Sequence, residues 1–232
     1  MIKVYVLQLE ESDHQPGFPE VLLGCIPQEG RTRVKDRLSN TSKLQTVAGE
    51  LLARYSIGLY IGNPQQEIRL SFGEKGKPHI ENFENVHFNI SHSGQYIVCA
   101  VGPDELGIDV ERVRQVNLRI AERFFSPSEI RDLMSLAESE RMAYFITLWT
   151  IKESFLKAIG RGLTQHLNSF TIVKNGESYL LTGNEEAAGF GIETHSLSDE
   201  YLMAVCAPLP LSSSEIFHTT LAEIRISLPE YS

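Results

Sequence analysis

The sequence predicts an α+β protein built of two similar α/β halves, each a helix packed on a mostly antiparallel sheet. Three observations point to this. Two amphipathic helix candidates occupy 41–58 and 142–160. Two apolar strands, "SGQYIVCAVGP" (93–103) and "SDEYLMAVCAP" (198–208), share one plan of polar turn, Tyr, apolar run and Pro. Finally, a polar break without low-complexity linker falls near Gly102–Glu105, which divides the chain into 1–103 and 104–232.

The elements follow in order. "MIKVYVLQLEES" alternates as a strand does. "GFPEVLLGCIPQ" reads as an apolar turn, and "RTRVKDRLSN" as a basic stretch before the first helix. In that helix Leu44, Val47, Leu51 and Leu52 keep helical spacing, with Thr41 or Ser42 as N-cap and Gly58 as stop. "FNIS-HSG-QYIV" reads as strand, tight turn, strand, with His92 at the turn. "LGIDVERV" is a strand. "SPSEIRDLMSL" (126–136) is a short helix capped by Ser126 or Ser128. In the second long helix Phe145, Leu148, Trp149, Phe155 and Ile159 form the apolar stripe, and Gly160 ends it. "SFTIVKN" and "SYLLTG" form a hairpin turning at Asn175-Gly176. The tail after Pro208 is polar and carries no assigned role.

Composition narrows the class. Hydrophobic residues are 42% and charged residues 22%, as in an ordinary globular protein. No apolar run approaches the length of a membrane span, and the N-terminus lacks a basic region followed by an apolar core, so a cytoplasmic, unexported protein is expected. Cys25, Cys99 and Cys206 are odd in number and widely spaced, which fits buried reduced thiols better than a disulfide framework. Net charge is −9. Residues 1–103 hold 10 Lys+Arg against 11 Asp+Glu, and residues 104–232 hold 11 against 19. So acidic a second half is a poor surface for nucleic acid and a suitable place for a divalent cation.

Asp109 and Glu111 are two apart on a strand, so they share a face. Two such anions suit a solvated strand face, or a Mg²⁺ that takes carboxylates plus substrate phosphates. Trp149, Glu153 and Lys157 are four apart along one helical face. Glu153 would supply a third oxygen ligand, leaving Lys157 for a phosphate. The loop "FGEKGKPHI" (72–80) brings Lys75 and Lys77 around Gly73, Gly76 and Pro78, which allows backbone approach to an anion. With Arg31, Arg33, Lys35 and Arg37 the first half offers cations, the second carboxylates. Neither a P-loop nor a Rossmann fingerprint is present.

These residues closely resemble the Sfp-type 4′-phosphopantetheinyl transferases of the bacterial two-domain branch. The resemblance rests on "GKP" (76–78), "FNISHSG" (88–94), "GIDVE" (107–111), "RFFSPSE" (123–129) and "LWTIKESFLKAIGRGL" (148–163), in the family's order and spacing. It implies two halves related by a pseudo-twofold in a monomer. The first would hold the phosphates and adenine of coenzyme A, the second the Mg²⁺ and the catalytic groups. It implies Asp109, Glu111 and Glu153 as Mg²⁺ ligands, and His92 with Ser91 as contacts to the CoA phosphates. Lys77 and Pro78 would lie around the 3′-phosphate and base, Arg33 at the 3′-phosphate, and Lys152 and Lys157 as the helix lysines, Lys157 toward the pyrophosphate. Gly30 and Gln45 depart from the Lys and Arg of bacterial members, which loosens or rearranges the 3′-phosphate clamp.

The implied reaction moves 4′-phosphopantetheine from CoA to a serine of an apo carrier protein or domain and releases adenosine 3′,5′-bisphosphate. Glu153, or a water held by it or the metal, would be the base, with Lys157 and His92 stabilising charge. Carrier docking would be mainly apolar, around Phe124, Phe125 and the stretch after Gly160. Partners would be peptidyl, acyl or polyketide carriers, with no nucleic acid and no membrane. A Mg²⁺-dependent phosphohydrolase acting on CoA or nucleotides, and a non-catalytic carrier-binding module, are the alternatives.

Overall fold

The computed structural model describes residues 1–15, 17–73, 76–160, 166–211 and 213–229. They form two compact units: Met1–Ser71 with Pro78–Pro103 and Ser214–Ser232, and Phe72–Lys77 with Asp104–Ser213.

In chain order the first unit holds β1 (Lys3–Gln8), α1 (Phe18–Leu22), α2 (Gln28–Lys35) and α3 (Asn40–Tyr60). After them come β2 (Leu70–Phe72), β3 (Pro78–Ile80), β4 (His87–Ser93) and β5 (Tyr96–Gly102), with β2 and β3 forming a small sheet of their own. The second unit holds β6 (Gly107–Arg112), α4 (Ala121–Phe124), α5 (Pro127–Ser135), α6 (Glu138–Ala158), β7 (Thr171–Asn175) and β8 (Ser178–Thr182). It continues through α7 (Glu185–Ala188), β9 (Phe190–Ser198) and β10 (Tyr201–Pro208). The chain then returns to the first unit as β11 (Glu215–Thr219) and α8 (Leu221–Ser227).

That return corrects the sequence reading of the tail. Residues after Pro208 do not merely trail from the second half. β11 pairs in parallel with β1, Lys3 opposite Glu215, and completes the sheet β11-β1-β5-β4. Leu221 and Ile224 of α8 join the core of the first unit.

The two long helices occupy equivalent roles. α3 lies on β5, and Leu44, Val47, Leu51 and Leu52 pack with Ile97, Cys99 and Val101. α6 lies on β6 and β10, and Phe155 packs with Phe170, Ala204 and Cys206. Each such large side chain, fully buried, contributes about 1.5–3 kcal/mol. β5 and β10 are the two look-alike strands of the sequence, each placed under its unit's long helix.

Helix ends differ from the sequence expectation. α3 is capped by Ser39, whose hydroxyl accepts the Ser42 N–H at 3.1 Å, so neither Thr41 nor Ser42 is the cap. Nor does Gly58 end it. The helix runs on to Tyr60, and a Cβ at Gly58 would meet Pro64 Cα at 2.8 Å, so this glycine serves close packing. α6 starts at Glu138, and Gly160 closes it with φ of 67°, as the sequence predicts. The hairpin at Asn175-Gly176 is β7–β8. Cys99 and Cys206 are buried free thiols, while Cys25 is half-buried and also free. Burial pushes the Cys99 thiol up to about 12, so it is inert at neutral pH. Among the described residues no helix is long and apolar enough to cross a membrane.

Candidate active site

The site grows from one close approach. Gly107 lies directly against α6: a Cβ there would collide with the Ser154 carbonyl oxygen and the Ala158 nitrogen. Only a residue without a side chain lets β6 lie this near the helix. Two and four residues on, Asp109 and Glu111 share the face of Gly107. The strand therefore delivers both carboxylates to the flank of α6 that carries Glu153 and Lys157. Ile108 and Val110, alternating with them, are buried.

Lys157 Nζ donates to Asp109 Oδ1 at 2.7 Å and to the Ile108 carbonyl at 3.2 Å. Asp109 is only 4% exposed, so its charge needs this partner. Burial pushes the Glu153 carboxyl above the ordinary carboxylate range; repulsion from Asp109 adds to this, Lys157 opposes it, and Glu111 adds again. Asp109, Glu111 and Lys157 thus all act on Glu153. An all-oxygen, negatively charged donor set of this kind fits a hard cation such as Mg²⁺. Among the described residues, no three His, Cys, Asp or Glu side chains already converge as ligands. Asp109 is engaged by the Lys157 ammonium instead.

Lys152 is a correction. The sequence reading places it among the cofactor contacts, yet it is fully buried. Its Nζ meets Glu129 Oε1 at 2.9 Å and donates to the carbonyls of Leu167 (2.8 Å) and Phe170 (3.0 Å). Glu129 also accepts the Ile172 N–H at 2.7 Å and, through its other oxygen, the Ser126 N–H at 2.7 Å. This second bond completes the capping box of α5. The ammonium is enclosed by these partners and the Phe170 ring at 4.3 Å, so it has no reach toward a ligand.

Lys77 Nζ pairs with Glu105 at 2.6 Å and donates to the Ala158 carbonyl at 3.0 Å, at the C-terminus of α6, where a cation suits the helix dipole. Pro78 opens β3. Lys75 lies outside the described residues, as do 161–165 of the stretch named for carrier docking. Phe124 stands edge-on to Trp149 at 5.5 Å, whereas Phe125 is buried.

In the first unit Ser91 is buried and His92 exposed. His92 is not at the turn: β4 runs through it to Ser93, with His92 opposite Ile97. Gln45 Nε2 donates to the Gly94 carbonyl at 2.9 Å and so braces the β4–β5 turn beside His92. Arg33 bonds Glu50 Oε2 at 2.7 Å, and Arg54 holds the other oxygen at 2.9 Å. A Cβ at Gly30 would run into the Glu50 carboxylate, so glycine at this departure makes room for that buried acid. Arg33 also lines a cavity of about 430 Å³ with Arg54 and Arg69, but Glu29, Glu67 and Glu81 line it too, so it is no simple anion trap.

Sequence reasoning missed Gly107, Glu129 and Glu50 as named contributors. Glu129 had a readable signal: Ser126 and Glu129 have capping-box spacing.

Comparison with known proteins matches residues 105–206 to the 4'-phosphopantetheinyl transferase superfamily model. Residues 15–104 match the 4'-phosphopantetheinyl transferase N-terminal model. The chain is 33% identical to 4'-phosphopantetheinyl transferase psf-1 of Bacillus pumilus, over 93% of this chain and 94% of that one. It is 33% identical to 4'-phosphopantetheinyl transferase Sfp of Bacillus subtilis (strain 168), over 88% and 92% respectively. With 4'-phosphopantetheinyl transferase ffp of Bacillus subtilis it shares 35% over 88% of each. The chain belongs to the 4′-phosphopantetheinyl transferases, in their Sfp-type bacterial branch, and is an enzyme of phosphopantetheinyl transfer to carrier proteins.

Proposed function

We propose that the enzyme takes the group from coenzyme A and attaches it to a serine hydroxyl of an apo carrier, releasing adenosine 3′,5′-bisphosphate. The reading is carried by the pairing of Lys157 with Asp109 and by the action of Asp109, Glu111 and Lys157 on Glu153. Asp109, Glu111 and Glu153 would hold Mg²⁺, whose charge, when bound, offsets that of the pyrophosphate.

The chain's own residues supply the rest. Glu153 is the proposed base; as a ligand of Mg²⁺ it would be a weak one, so a water held by it or the metal serves as well. It takes the serine proton directly or through a water it orients. The Lys157 ammonium, at the edge of this cluster, moves to the phosphate that gains charge as the P–O bond breaks. His92 and Ser91 on β4, with Arg33, Lys77 and Pro78, are the proposed CoA contacts. For Arg33 and Lys77 this requires exchanging Glu50 and Glu105 for phosphate. Lys152 is left out for the reason given above. The carrier contact is proposed around Phe124 and the aromatic edge of Trp149. A cytoplasmic setting fits the free thiols at Cys25, Cys99 and Cys206, and a monomer is proposed.

The test is incubation with CoA, Mg²⁺ and a panel of apo fatty-acid, polyketide and nonribosomal-peptide carriers, followed by intact mass of each. A gain of one phosphopantetheine on at least one carrier is expected. CoA hydrolysis without carrier modification would favour a phosphohydrolase.

A further inference from the structure

The Lys157–Asp109 pair has a consequence for metal capture, which rests on the reading that Asp109, Glu111 and Glu153 hold the divalent ion. We infer that Lys157 is a built-in counter-ion competing with the metal for Asp109, so that the free enzyme binds divalent ions weakly and the ammonium is released to the substrate phosphates only when the ion displaces it.

The argument is one of charge and space. Asp109 is almost wholly buried, and the oxygen that faces α6 is bonded to Lys157 Nζ at 2.7 Å. A hard cation bound by a carboxylate sits at 2.0–2.6 Å from its oxygens. An ammonium already at hydrogen-bond distance from the same oxygen, carrying like charge, excludes close approach of that ion from that side. The Ile108 carbonyl at 3.2 Å holds the ammonium in this position.

The lysine stem is flexible and its side chain is 28% exposed, so Nζ can leave Asp109 without unfolding anything. What it needs on leaving is another anion, and the pyrophosphate offers one. The same residue therefore does opposite things in two states. Without substrate it opposes the metal. With substrate it joins the metal in neutralising phosphate. Lys157 then sets how strongly ion binding depends on CoA, because part of the cost of expelling the ammonium is recovered only when phosphate is present.

The test uses the full-length, CoA-free protein and Mn²⁺ alone, with free Mn²⁺ read by electron paramagnetic resonance. Lys157→Met should bind Mn²⁺ more tightly than wild type by about fivefold or more, the low end of coupling between sites. Lys157→Arg, which keeps the charge, should restore weak binding. Adding Asp109→Asn to Lys157→Met should erase the gain. The Mn²⁺-induced rise in melting temperature should follow the same order; if Lys157→Met folds poorly, Lys157→Gln reports the same comparison. Equal or weaker binding by the methionine and glutamine variants overturns the competition but leaves the metal site standing. No Mn²⁺ uptake by any of the proteins overturns both the competition and the metal-site reading.

Discussion

Helix α6 carries two lysines five residues apart, and each meets an acid, but in opposite settings. Lys152 and Glu129 are both fully buried, and the acid also holds two backbone N–H groups while the base holds two carbonyls. Lys157 and Asp109 lie at an open flank, where two further carboxylates, Glu111 and Glu153, act on the same cluster. The first pair balances charge locally. In the second, the Lys157 ammonium bonds Asp109 and acts on Glu153, which Glu111 also affects. A charge taken out of water must be compensated inside the fold, and the second pair meets this beside two further carboxylates. In the first unit the buried Glu50 is held by Arg54, also buried, and by the partly exposed Arg33.

The largest effect expected from this contrast concerns activity. Asp109→Ala or Glu153→Gln should lower carrier modification by roughly a thousandfold or more, because several kcal/mol of charge stabilisation is lost. Circular dichroism should stay near wild type. Near-normal turnover by either variant would dissolve the distinction between the open and closed pairs.

The closed pair should respond in stability. Lys152→Met leaves the Glu129 carboxylate buried without its cation, and urea unfolding should show a loss of about 3–5 kcal/mol. Replacing both partners, as Glu129→Leu with Lys152→Met, should recover much of it, since a buried pair exchanged for apolar groups is often near neutral. A single variant of unchanged stability would mean that the pair is not the closed unit described.

The third test is the pH dependence of stability in metal-free protein. Glu153 is protonated more readily in the fold than at its ordinary value of 4.5. The folded state therefore holds more protons than the unfolded one above that pH, and stability falls as pH rises from about 4.5 through the raised value. Glu153→Gln should remove this slope and be more stable than wild type at neutral pH, although inactive. An unchanged slope would show that Glu153 is not the group under strain.

A smaller effect is expected at His92, which is exposed on β4. His92→Ala should raise the KM for CoA several-fold, with a lesser fall in kcat. Unchanged steady-state kinetics would remove it from the site.

Much of this was readable from residue spacing. The period-2 placement of Asp109 and Glu111 and the four-residue step from Glu153 to Lys157 are local facts, and local facts survive folding. So is the plan shared by the strands that became β5 and β10. Lys152 was misread because the motif drew attention to its charge, whereas its position continues the apolar ladder of Phe145, Leu148, Phe155 and Ile159. A charged residue in such a stripe calls for a buried partner, but nothing local names Glu129, which comes from another helix. Gly107 was part of a quoted motif, yet its reason, direct contact with the α6 backbone, depends on packing that spacing does not reveal. The tail was opaque for a related reason. β11 forms only by pairing with β1, more than 200 residues away in sequence, and a five-residue strand carries little signal of its own.

The central claim is that the open carboxylate cluster is completed by a divalent ion and the phosphates of CoA together. Calorimetry of CoA binding with and without Mg²⁺ tests it most directly. Without the ion, Asp109, Glu111 and Glu153 repel the pyrophosphate; without CoA, the ion meets a site partly held by Lys157. Each ligand should therefore tighten the other by the same factor. CoA is expected to bind about fivefold or more tightly with Mg²⁺ present, and dephospho-CoA should show a similar metal effect on a weaker baseline. Equal CoA affinity with and without Mg²⁺ would contradict the account.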